Sequence, residues 1–237
     1  MRTMITGIRL FLIAVSCVFF STIALVSLLF QRNGGLYFWG GSTWSRFVLW
    51  ISNVSVTTHG LENIERNGNF VIVSNHASVY DIPTLMTIFP RMRIMFKKEL
   101  SYIPVWGWAL KYGHHILVDR KKGTEAMKSL DRAAQAIAEG GQVLLFAEGT
   151  RSRDGNLQPF KRGAFALAAK SGVPILPVTI NGAFKILPKG SFDIRPAEIH
   201  AVFGELIETK NTTTREAEIA LMNKVHEVIA KNFQEIN

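Results

Sequence analysis

From residue 55 onward the chain alternates apolar runs of β type with segments that repeat at helical spacing. The strand-like runs lie near residues 55–58, 69–74, 93–96, 115–118, 142–147, 174–180 and 198–206, and the helical stretches near 82–89, 100–112, 122–139 and 161–171. Interleaved strands and helices predict an α/β domain with a largely parallel or mixed sheet flanked by helices. Gly140-Gly141 and Gly172 stand where helices should stop. Leu221, Val225, Val228, Ile229 and Phe233 repeat at helical spacing near the C-terminus, a stripe best used for core packing.

The first 54 residues follow a different rule. They contain no Asp or Glu, and the first acid is Glu62. Residues 10–30 carry no charge and would make a helix about 32 Å long, enough to span a bilayer core. A cleaved signal peptide has a shorter apolar region ending in small residues, whereas this run continues into Phe30-Gln-Arg-Asn33, so we read a retained anchor. A second stretch, Leu36-Tyr-Phe-Trp39 and Phe47-Val-Leu-Trp-Ile51 with Arg46 between, is apolar and rich in residues that favour a membrane interface. The expected organisation is therefore a helical membrane anchor of two helices over residues 1–54 and a folded domain over 55–237.

At 237 residues the chain can bury one sizeable core with an appendage. Its single cysteine, Cys17, excludes an intramolecular disulfide and sits among apolar residues as a lipid-facing or packed side chain. A net charge of +9 raises the question of nucleic acid, but no nucleic-acid motif accompanies it. Anionic headgroups and phosphate-bearing substrates account for the charge better.

Candidate chemistry begins after the run Phe70-Val-Ile-Val-Ser74, where the chain reads Asn75-His76-Ala-Ser-Val-Tyr-Asp81. On a continuous helix a separation of five turns about 500°, so His76 and Asp81 meet only if His76 is in a loop and Asp81 near the next helix start. Asp81 is a good N-cap type, and Pro83 suits a first turn. A carboxylate holding one imidazole nitrogen leaves the other as a general base. Alone, the pair reads more readily as a capping aspartate beside a surface histidine. A second block, Leu145-Phe-Ala-Glu-Gly-Thr-Arg-Ser152, follows another strand-like run, and two strand ends bearing polar clusters are where an open α/β sheet builds its site.

With both blocks the chain resembles the glycerolipid acyltransferase family, most closely the bacterial 1-acyl-sn-glycerol-3-phosphate acyltransferases. Asn75, His76 and Asp81 match its Asn-His-x4-Asp motif, and Lys97-Lys98-Glu99-Leu100, Pro104 and Gly107 match the second motif. Phe146, Glu148, Gly149, Thr150, Arg151 and Ser152 match the third, with Ala147 in place of the usual proline, and Val173-Pro-Ile-Leu-Pro-Val178 matches the fourth. The resemblance covers about residues 55–205 and implies transfer of an acyl chain from a thioester donor to the sn-2 hydroxyl of 1-acylglycerol 3-phosphate, giving phosphatidic acid. It implies His76 as base and Asp81 as its orienting partner, with Lys98, Glu148, Gly149, Thr150 and Arg151 binding the acceptor. The donor is acyl-CoA or acyl carrier protein, used as substrate, with no cofactor and no metal. Partners are then membrane lipid, lysophosphatidic acid and the donor. The chain holds no Gly-x-Ser-x-Gly elbow, which argues against an acyl-serine route.

Two rivals stand beside this: the same chemistry on another lysolipid or on glycerol 3-phosphate, and a non-catalytic membrane lipid-binding protein. Arg2 and Arg9 before the apolar run favour a cytosolic N-terminus, so a single span would export the domain from its cytosolic donors. A helical pair that turns back or lies in one leaflet resolves the conflict, with the catalytic domain facing the cytosol on the cytoplasmic or inner membrane. A single span with the N-terminus outside is the alternative. His114-His115 lacks suitably spaced partners for a metal, and adjacent strand residues point apart. Asp119-Arg-Lys-Lys122 reads as a solvated run or a headgroup contact, and Lys161-Arg162 as a contact for donor phosphates or membrane, or as structural charge.

Overall fold

The computed structural model describes residues 2–31, 33–118 and 124–234, so the run 119–122 lies outside the described residues. Two helices come first, α1 (Arg2–Ser27) and α2 (Gly35–Ile51). They are followed by β1 (Ser55–His59), β2 (Phe70–Ser74), α3 (Asp81–Ile88), β3 (Arg93–Lys97), α4 (Trp106–Tyr112), β4 (Ile116–Val118) and α5 (Thr124–Ala138). The remainder comprises β5 (Gln142–Phe146), α6 (Arg162–Ser171), β6 (Ile175–Asn181), α7 (Ala183–Ile186), β7 (Glu198–Phe203) and α8 (Arg215–Asn232).

Among the described residues seven strands form one sheet in the order β1-β7-β6-β2-β5-β3-β4. Every neighbouring pair is parallel except β6 and β7, which makes the sheet mixed. β2 is buried along its whole length between β5 and β6, as a near-continuous apolar run requires. Side chains alternate across it. Phe70 and Ile72 join Leu144, Leu176 and Ile180 under α3, while Val71 and Val73 join Val143, Leu145 and Ile175 under the helices that carry Ile137, Phe165 and Val225. Register aligns Ser74 with Phe146 and Val178, so the chain leaves β2 and β5 at one level, where parallel sheets place their sites.

Two local departures from the expected elements have physical causes. The helix expected over 100–112 is split into a 3-10 turn, Lys98–Tyr102, and α4, because Pro104 and Val105 intervene. Val105 has φ 61°, a strained value for a β-branched residue, in a tight turn closed by Trp106 N–H donating to Pro104 O at 2.7 Å. Gly107 is needed beside it, since a Cβ there would lie 2.2 Å from Leu100 O. The last strand ends at Phe203, but pairing resumes where Ile175 and Ile207 exchange backbone hydrogen bonds at 2.8 Å.

The N-terminal pair is part of the packing and not an attached tail. Val48, Leu49 and Val54 belong to the same core cluster as Leu85, Met86 and Phe89, and Leu10 and Ile13 pack against it. Ser52 Oγ and Tyr80 Oη are 2.6 Å apart in a buried hydrogen bond. The break at residue 54 thus coincides with the end of α2 without separating two cores. α1 contains one stretch, Met4–Ser27, that is long and apolar enough to cross a membrane by length and composition. It lies along the domain, with Thr6 donating to Asp193 at 3.4 Å, Trp44 Nε1 donating to Ser16 Oγ at 3.2 Å, and Ala24 packed with Tyr37, Phe38 and Ala109. Its outward side leaves Phe11, Val15, Val18 and Phe19 exposed.

Candidate active site

The loop after β2 is fixed from both sides before it presents any chemistry. Asn75 continues the sheet with its side chain, donating from Nδ2 to Ile180 O at 2.9 Å and accepting Ile180 N–H on Oδ1 at 2.8 Å. Ser78 Oγ donates to Leu187 O at 2.9 Å. Asp81, expected as a helix N-cap, is instead the first residue of α3, and Tyr80 occupies the cap position. Its carboxylate turns back over the loop. Oδ2 accepts the N–H groups of Ala77 and Ser78, both at 2.9 Å, and lies 2.7 Å from His76 Nδ1. Asp81 is wholly buried. Donation from Nδ1 to this carboxylate fixes the tautomer and leaves Nε2 as the lone-pair nitrogen.

The loop after β5 holds the same histidine from behind. Phe146 stacks on the imidazole, with centroids 3.7 Å apart and planes 10° from parallel. Glu148 Oε1 accepts the backbone N–H of His76 at 2.9 Å, and Ser152 N–H donates to His76 O at 2.8 Å. Ala147 donates its N–H to Ser74 O at 3.4 Å, a bond no proline could make. Burial pushes the Glu148 carboxyl up to about 7, with the nearby Asp81 charge adding to the rise and the His76 N–H opposing it. Its Oε2 is buried with no partner among the described residues.

His76 opens onto a cavity of about 900 Å³. Its mouth carries Gly149, Thr150, Arg151 and Lys161, and its apolar walls extend past Met86, Leu110 and Leu167 to Cys17, Phe20 and Tyr37 under the N-terminal helices. Of the residues predicted to bind an acceptor, Gly149, Thr150 and Arg151 line this space, whereas Glu148 sits behind the histidine. Lys98 starts the 3-10 turn, and its neighbour Lys97 reaches the cavity wall. Gly149 has φ 75°, and the Lys161 side chain lies where a Cβ would stand. Lys189 has no signal in the sequence motifs, yet its Nζ donates to Thr150 Oγ1 at 2.9 Å and to Arg151 O at 3.1 Å. Only its place in the turn Pro188-Lys189-Gly190, close to a site loop in space, marks it out. The histidine pair predicted to point apart packs on one ring: His114 and His115 lie 5.4 and 5.5 Å from Tyr37.

Comparison with known proteins gives the chain's family. The acyltransferase family model matches residues 55–181, a span that includes both site loops. A chloroplastic 1-acyl-sn-glycerol-3-phosphate acyltransferase of Brassica napus is 41% identical over 56% of this chain, which spans 39% of that protein. The 1-acyl-sn-glycerol-3-phosphate acyltransferase of Pseudomonas aeruginosa is 34% identical over 73% of this chain and 68% of its own length. The crystal structure of the 1-acyl-sn-glycerophosphate (LPA) acyltransferase PlsC from Thermotoga maritima superposes with a TM-score of 0.83 at 27% identity, covering 98% of this chain and 94% of that one. A histidine–aspartate pair at the ends of parallel strands, a family match across both loops and a shared fold over nearly the whole chain lead to one conclusion: the chain belongs to the acyltransferase family.

Proposed function

We propose that this protein acylates 1-acylglycerol 3-phosphate to phosphatidic acid, with His76 as general base and an acyl thioester, acyl-CoA or acyl carrier protein, as donor. The observation that carries the reading is the 2.7 Å His76–Asp81 contact at the mouth of a large apolar cavity rimmed by Arg151 and Lys161. His76 Nε2 takes the proton of the free glycerol hydroxyl as that oxygen attacks the thioester carbonyl. The tetrahedral intermediate collapses by breaking the C–S bond, and the departing thiolate recovers the proton from the imidazolium. Asp81 holds the ring and stabilises its transient charge, and no enzyme ester is formed. Arg151 grips the acceptor phosphate through its guanidinium fork, with Lys161 as a second cation.

The exposed apolar sides of α1 and α2 form the membrane seat. Phe11, Val15, Val18, Phe19, Trp39 and Trp50 face outward while the opposite sides pack on the domain, a division that suits helices lying in one leaflet beside the catalytic mouth. The test is an assay of purified protein with lysophosphatidic acid and each donor in turn. Formation of phosphatidic acid with at least one donor is expected. Turnover of glycerol 3-phosphate or another lysolipid in its place would assign a different acceptor, and no turnover with any acceptor would leave a lipid-binding protein.

A further inference from the structure

At the opposite end of the strands from His76 lies a second cavity, of about 610 Å³, whose walls belong to none of the motifs above. It is lined by Arg66, Arg91, Arg93 and His114, by Asn33 and Asn67, and by the residues that open β5. No carboxylate is among its lining residues, and none of the three arginines is ion-paired among the described residues. Their positions are fixed by other means. Arg91 Nη2 donates to Asn33 O at 2.8 Å and its guanidinium stands 5.6 Å over the Phe38 ring. Arg93 Nη1 donates to Ala136 O at 3.0 Å. Gln142 Nε2 donates to Arg66 O at 2.9 Å and Gly68 O at 2.7 Å, which braces the Arg66 loop while leaving its guanidinium without a partner among the described residues. Burial first, and then the charges of Arg93 and Arg91, hold His114 below its usual range.

Guanidinium groups gathered without an acid are stabilised by an oxyanion, and the fork geometry favours phosphate. The rim indicates where that phosphate comes from. Asn33 belongs to the α1–α2 connection and Phe38 to the first turn of α2, and the connection leaves Leu29 and Phe30 79% and 81% exposed. We propose that the Arg66–Arg91–Arg93 cavity is a phosphate-binding site for the headgroup of an anionic glycerophospholipid, distinct from the acceptor site at Arg151. A lipid held there orients the enzyme on the membrane from the far end of the sheet. The proposal relies on the membrane seat above only for the source of the phosphate.

Flotation with vesicles of phosphatidylcholine alone, and of phosphatidylcholine with one part in three phosphatidylglycerol, tests it on the full chain. Phosphatidylcholine binding reports the seat, and the phosphatidylglycerol increment reports the cavity. Arg66→Glu should reduce the increment by about 5- to 25-fold and Arg66→Gln by about fivefold, on the scale of one basic contact to an anionic surface. Arg215→Glu, at the exposed first residue of α8, is the control for general surface charge and should change it far less. Thermal unfolding confirms that each variant is folded, and turnover in neutral detergent should stay at the wild-type value. An equal loss in Arg215→Glu and Arg66→Glu, or no loss in Arg66→Glu, overturns the proposal. So does stabilisation by inorganic phosphate that depends on Arg66 while the vesicle increment does not, since the cavity would then take free phosphate. A wild-type protein that ignores phosphatidylcholine undoes the seat instead.

Discussion

The loops after β2 and β5 meet at one histidine but are built differently. The β2 loop is held by backbone partners at nearly every step, from Asn75 on β6 to the two N–H groups and the imidazole gathered by Asp81 Oδ2. The β5 loop contributes a fixed inner part, Phe146 and Glu148, and an outer part whose side chains are long cations. Lys161 and Arg151 reach their places on flexible stems, and Lys189 joins them from the turn after α7. On the proposed function the contrast separates two tasks: proton transfer needs geometry within a fraction of an ångström, whereas gripping a phosphate tolerates adjustment.

Breaking the rigid side should therefore cost most. His76→Ala is expected to lower turnover by about 10²–10⁴-fold with little change in acceptor affinity, measured as a kcat against KM split. Asp81→Asn should approach the same loss, because an amide can support the wrong tautomer and no longer balances the imidazolium. Near-normal turnover in either variant would remove the base from the mechanism.

The adjustable side should yield less. Arg151→Ala should lose about 10- to 150-fold in kcat/KM with lysophosphatidic acid, and lysine at 151 should recover only part because it keeps the charge without the fork. Monoacylglycerol sharpens the comparison. It lacks the phosphomonoester, so the Ala variant should lose little further activity on it; an equal loss on both acceptors would shift the phosphate contact to Lys161 or another cation.

Glu148 lies between the two and should show the smallest effect on rate. Burial raises its carboxyl to about 7, so the folded protein keeps a proton that the unfolded chain releases near 4.5. The folded state binds more protons in that window, and this group's contribution makes stability fall as pH rises from about 4.5 to 7. Glu148→Gln still accepts the His76 N–H and does not titrate. Relative to wild type it should gain up to about 3 kcal/mol between pH 4 and pH 8 in urea unfolding, with turnover changed only a few-fold. A wild-type and Gln pair with parallel pH profiles would mean that the carboxyl is not buried in solution.

The sequence made the strands and the His76–Asp81 pair legible for different reasons. The interior strands β2, β5 and β6 are buried over most or all of their length, so apolar runs mark them out without knowledge of their partners. The antiparallel turn of β7 against β6 was less legible, because direction depends on the path of a loop, 187–197, that has no regular pattern of its own. The pairing of His76 with Asp81 followed from spacing, but the bracing by Asn75 and Glu148 did not, since hydrogen bonds to backbone 105 and 72 residues away leave no local trace. Lys189 failed for the same reason. The place of α2 was hidden by an ambiguity in the hydrophobic signal: Val48 and Leu49 would look alike facing lipid or the Leu85 side chain.

That shared packing has a consequence for how the protein is made. Residues 2–51 leave the ribosome with their apolar faces complete, but the partners that cover them, from Phe70 to Phe203, are synthesised up to about 150 residues later. At about 5–20 residues per second the wait is roughly 7–30 s, far longer than the sub-millisecond time for collapse of a short apolar segment. If the two helices seat on lipid as proposed, the bilayer can shelter both in that interval. On the membrane seat proposed above, biosynthesis runs from membrane to fold: the lipid receives the helical pair first, and the sheet is then assembled onto it.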